Sequence, residues 1–156
     1  MKKVALLLML SMLTLSCSED EENEKQKDMN LDLVLKELPQ KWKLVKTTGS
    51  FAGSENTGDD MQWQETYTFN NDDTFTKTRL QKSGDKITAS GTFVIGEESE
   101  TSEKSLKLTF NESSAIIGSC HNEPVEYLYY KKDSDLLLSN WWACDGPGLF
   151  YKKVKN

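Results

Sequence analysis

Cys120 and His121 place a thiol beside an imidazole, the pair of neighbours in this chain best suited to covalent chemistry. A cysteine nucleophile needs its base within hydrogen-bond reach, and adjacent residues on an extended chain point to opposite sides. The pair therefore reads as part of a polar loop. His121 is the single histidine, so a histidine-built metal site has no material. The acids Asp59-Asp60 and Asp72-Asp73 lack the spaced carboxylates of a calcium loop and read as turn residues. Asn111-Glu112-Ser113 matches a glycosylation acceptor, a short and unspecific pattern. Glu65 shares a face with Trp63 and Tyr67 at period two. It is either a buried acid meeting a ligand or a cation, or the mark of a bulged or exposed strand, which is the default expectation. No catalytic triad is visible, and 25 acids do not single out a hydrolytic carboxylate pair. The sequence thus nominates no catalytic residue, no metal ligand and no cofactor.

The N-terminus is more explicit. Lys2 and Lys3 precede an apolar run over residues 4–15, then Ser16 and Cys17. A charged start, a short apolar stretch and small residues before a cut describe an export signal, and the run is shorter than the ~20 residues that a membrane span needs. The segment resembles a bacterial lipoprotein signal, which implies cleavage after residue 16, acylation of Cys17 and anchoring to a membrane through that lipid. Leu13 stands one place earlier than the usual leucine, with Thr14 in its position, and Thr14-Leu15-Ser16 also fits an ordinary signal peptidase that leaves no lipid. Residues 17–29 read as a solvated tether. Its start, Ser18 followed by the acids Glu19-Asp20-Glu21-Glu22, resembles the export tags of surface lipoproteins of the Bacteroidota, implying an outer-membrane protein that is surface-exposed. A spacer facing the periplasm is the alternative. With Cys17 lipidated, Cys120 and Cys144 remain as an even pair in an oxidising compartment, where a disulfide is the expected state.

Residues 30–156 suit one domain. Removing residues 1–16 takes two lysines and no acids, leaving 17 basic against 25 acidic residues and a formal charge of −8. That balance argues against a nucleic-acid partner. The pattern over residues 31–38 suits a short helix that plugs or braces one end, stopped by Pro39. From Lys41 onward the period falls to two, and strands are predicted at 41–47, 61–70, 74–82, 86–95, 105–110, 125–132, 136–142 and 149–154. Tight links at residues 70–73, 83–85 and 133–135 carry Asn, Asp and Gly, so sequential strands are antiparallel neighbours. Eight such strands predict an all-β, antiparallel up-and-down barrel, with a two-sheet sandwich as competitor.

Leu38-Pro39-Gln40-Lys41-Trp42-Lys43-Leu44, then Tyr67-Thr68-Phe69-Asn70, Asp73-Thr74-Phe75 and Ser90-Gly91-Thr92-Phe93-Val94-Ile95, resemble the lipocalin-like domains of bacterial lipoproteins. Gln40 replaces the glycine usual two residues before the tryptophan. The resemblance implies an eight-stranded barrel open at one end. In a meander the odd-numbered loops share an end, which brings Cys120 and Cys144 to one rim together with Phe51, His121, Trp141 and Trp142. One residue of register in the 133–135 hairpin decides which of the two tryptophans faces inward. Below the rim the interior is expected to draw on Trp42, Leu44, Trp63, Tyr67, Phe93, Leu106, Leu108, Tyr127, Tyr129 and Phe150.

Two functions follow. In the first, the barrel binds a small hydrophobic or amphipathic ligand among Phe51, Trp63, Tyr67, Phe93, Tyr127, Tyr129 and Trp142. In the second, the same side chains fill the core, and the rim loops act as a protein-interaction or inhibitor module. A packed interior with exposed aromatic residues at the rim favours the second. An enzyme inside the barrel is a third reading, which a buried, partnered Glu65 beside a cavity would strengthen.

Overall fold

Period-two alternation sets one row of side chains inward on each strand and closes the sheet on itself. The structure, a computed structural model, describes residues 35, 37–51, 53–97 and 104–155. The signal, Cys17 and the tether lie outside those residues. The strands are β1 (Gln40–Thr48), β2 (Asn56–Thr57), β3 (Trp63–Phe69), β4 (Thr74–Gln81), β5 (Lys86–Glu97), β6 (Lys104–Phe110), β7 (Val125–Lys131), β8 (Leu136–Ser139) and β9 (Gly148–Lys153). All pairings are antiparallel between sequential strands, and β9 returns to β1, with Leu44 opposite Tyr151. β2 is a two-residue appendage on β1. The eight longer strands form a closed up-and-down barrel, which leaves no long unpaired edge.

Turn chemistry fixes the hairpins. Asp72 accepts from the Thr74 N–H at 3.2 Å and the Thr74 hydroxyl at 2.6 Å, which hold its carboxyl below the usual value, and Asp73 turns the chain at φ 59°. Asp135 turns β7 into β8 at φ 54° and accepts from the Tyr130 hydroxyl at 2.7 Å. Gly91 answers a close approach: a Cβ there would overlap the Thr109 carbonyl oxygen of the neighbouring strand.

At the barrel end where the chain enters, the core is aromatic. Phe69 meets Phe93 edge-on at 5.1 Å, and Phe75 meets Phe110 at 4.8 Å. Leu35 belongs to the buried core cluster; residues 31–34 and 36 of the short helix expected over 31–38 lie outside the described residues. Gln40, in the departure from the family pattern, accepts from the Trp42 indole N–H at 3.2 Å and so satisfies a buried donor.

Three segments differ from the expectation. The strand foreseen at 136–142 stops at Ser139, because the Ser139 hydroxyl caps a 3-10 helix, η2 (Asn140–Cys144), by accepting from the Trp141 N–H. In β7, Tyr127 and Tyr129 face outward while Glu126, Leu128 and Tyr130 face inward. In β9, Leu149 and Tyr151 face inward and Phe150 outward. Both faces of these strands are apolar enough to be buried, so hydrophobic alternation could not choose between them. The partners inside the barrel choose.

Candidate functional site

The barrel centre holds two acids, two bases and two phenols. Glu65 and Arg79 are directly opposed on β3 and β4, as are Tyr67 and Lys77, so the pleat aims all four inward. Glu126 enters from β7 and Tyr151 from β9. The Arg79 Nε donates to Glu65 Oε2 at 2.5 Å, and the Tyr151 hydroxyl donates to Glu65 Oε1 at 2.5 Å. Lys77 Nζ lies 2.5 Å from Glu126 Oε1 and 3.2 Å from Glu65 Oε1, bridging the two acids. Glu126 also accepts from the Tyr67 hydroxyl and from the Gly118 N–H. Lys77 is fully buried and Glu65 nearly so. Two positive charges meet two negative ones in low dielectric, and each carboxylate has three donors. Burial first, then the neighbouring carboxylates, push the Tyr67 and Tyr151 phenols well above their usual value. Both stay protonated and donate.

The loop between β6 and β7 lies across this cluster at the rim. The Ile116 carbonyl accepts from Arg79 Nη2 at 3.4 Å, Gly118 donates to Glu126, and Ile116 is buried. A disulfide joins Cys120 of this loop to Cys144 at the end of η2, with Cα atoms 5.6 Å apart. The loops at 49–62 and 140–147 share this end, since Thr48 pairs with Gly148. The cysteines therefore meet where an eight-strand meander requires.

The nominated ligand residues scatter. Tyr67 and Phe93 are buried within the core, and Trp63 is half-buried at its edge. The Arg79 guanidinium sits over the Trp63 ring at 4.4 Å. The Trp63 indole N–H has no partner among the described residues. Tyr127 and Tyr129 lie on the outer wall. Phe51, 75% exposed, and Trp142, 56% exposed, stand at the rim. Trp141 packs against the core instead, between Gly118 and Gly146, where a Cβ would run into its ring. The structure thus brings Tyr67 and Phe93 into the core with Trp63 packed against it, and leaves the other four apart from them.

Glu65 is the buried, cation-paired acid of the two readings above. Sequence reasoning missed Lys77, Arg79 and Glu126. A signal was present: Lys77 and Arg79 share the parity of Phe75, and Glu126 that of Leu128.

Two grooves lie outside the barrel. One of about 450 Å³ at the rim is bounded by Thr48, Ser50, Leu138, Trp142, Asp145 and Phe150, with glycines between them. The other, about 650 Å³, runs along Leu38, Pro39, Gln40 and Lys152 to Lys155 at the opposite end. Among the described residues, no group of His, Cys, Asp and Glu could hold a metal ion, and no helix is long and apolar enough to cross a membrane.

No protein-family model and no curated protein matches this chain. Among solved structures, an uncharacterized protein from Bacteroides eggerthii is similar, with a TM-score of 0.47 and 13% identity over 76% of this chain and all of its own length. At that level the likeness assigns neither ligand nor activity.

Proposed function

We propose that this chain is an exported lipoprotein, acylated at Cys17 and held to the outer membrane, whose barrel works as a binding module through its disulfide-pinned rim. The observation that carries the reading is the occupied interior. The side chains that would have lined a ligand cavity contact one another instead: Tyr67 lies edge-on to Tyr151 at 5.0 Å, and Phe93 to Phe69 at 5.1 Å. The charged heads among them are paired with one another, and a ligand would have to separate them. Large apolar side chains are exposed at the rim instead. Capture of a small apolar ligand inside the barrel, the first reading of the sequence, has no such support.

Titration with 1-anilinonaphthalene-8-sulfonate tests the filled barrel. The expected result is fluorescence no higher than for a packed globular control, and a saturable one-to-one rise displaced by palmitate would overturn it. The anchor is tested by Cys17→Ser, which is expected to move the protein from the membrane fraction to the soluble fraction with its melting temperature unchanged. Retention of the variant in membranes would sink acylation at Cys17.

A further inference from the structure

The rim groove beside Trp142 differs from the rest of the surface in how it is built. Trp142 is 56% exposed yet belongs to a turn with little freedom. The turn is capped by Ser139 at its start and tied by the Gly146 N–H to the Trp141 carbonyl at 3.1 Å. It is held at Asp145 in the left-handed region with φ 66°, and crosslinked at Cys144. Trp141 is wedged under it. An exposed indole on a loose loop folds back onto apolar surface; this one is held out over a groove of about 450 Å³, within the range of small-molecule sites.

The lining selects a ligand class. Thr48 and Ser50 bring hydroxyls and Asp145 a carboxylate that can hydrogen-bond, and Trp142 offers an apolar face. No Lys, Arg or His lines the groove, and the neighbouring Lys46 ammonium is already paired with Glu55 at 2.9 Å, so an anion finds no free cation. A cationic ligand finds the Phe150 ring already taken. The Lys46 ammonium sits over it at 4.4 Å. A purely apolar ligand would strand the Asp145 carboxylate. What remains is a neutral molecule with an apolar face and a hydroxylated edge.

We propose that this groove binds a neutral saccharide, with a pyranose ring laid on the Trp142 indole and its hydroxyls bonded to Asp145, Thr48 and Ser50. The proposal rests on the reading of the rim as the working surface. The mature full-length protein is titrated with cellohexaose, maltohexaose, xylohexaose, laminarihexaose and chitohexaose, with choline as the cationic control, using saturation-transfer NMR and calorimetry. At least one hexasaccharide is expected to bind. Trp142→Ala should weaken it by about tenfold or more and Asp145→Asn by several-fold. Absence of binding by all five, binding of choline alone, or binding indifferent to Trp142→Ala would each overturn the saccharide site. The rim reading itself falls separately, on uptake of the apolar probe into the barrel. Trp142 is exposed, so its replacement is expected to keep the melting temperature, and Trp142→Phe should restore part of the affinity.

Discussion

Glu126→Ala is expected to lower the unfolding free energy by about 3–5 kcal/mol, the range for removing one partner from a buried ion pair. The loss has three sources. Lys77 keeps only the 3.2 Å contact with Glu65, the Tyr67 hydroxyl loses its acceptor, and the Gly118 N–H that ties the rim loop loses its partner. Glu126→Gln should cost less, because the amide oxygen can still accept, but Lys77 then lacks a countercharge. The double change Lys77→Met with Glu126→Leu is expected to recover much of the loss, since it removes both charges together. Urea unfolding of these proteins, with the single variants Lys77→Met and Glu126→Leu added to close the cycle, gives the coupling energy. A loss below about 1 kcal/mol for Glu126→Ala would mean that the cluster is hydrated and the barrel open to water.

Reducing the Cys120–Cys144 bridge has the second large effect. The cysteines are 24 residues apart, and closing a loop of that length restricts the unfolded chain by about 3.5 kcal/mol. For a domain of this size the melting temperature should fall by roughly 10 °C or more on adding reductant. Cys120→Ser with Cys144→Ser should melt at the reduced temperature with or without reductant. The bridge joins the loop that covers the charged cluster to the turn that presents Trp142, so hydrogen exchange in residues 111–124 should accelerate first. Equal melting temperatures with and without reductant would contradict the assignment.

The fold was legible because two signals acted together. Period-two alternation with Asn, Asp and Gly links defined sequential antiparallel strands, and a meander of eight has one closure without edges. The position of the cysteines at one rim followed from strand count alone. Inward and outward faces were legible only where one face is polar, as in β3 and β6. In β7 and β9 both faces carry aromatic or aliphatic residues, so Tyr127, Tyr129 and Phe150 were assigned inward when electrostatics placed Glu126 and Tyr151 there. Hydrophobicity treats Lys77, Arg79 and Glu126 as surface residues. Balanced opposite charges on the inward parity of β3, β4 and β7 were the signal that outweighs it. Trp142 was placed at the rim correctly, but its presentation depends on the Ser139 cap that ends β8 early, a local hydrogen bond that periodicity does not see.

The central claim is that the barrel is filled by its own side chains and works from its rim. Native mass spectrometry of the protein, purified gently from the envelope and compared with its denatured mass, tests it most directly. The two masses should agree apart from covalent lipid. A discrete, non-covalently bound apolar molecule that leaves on denaturation would contradict it and return the function to the barrel interior.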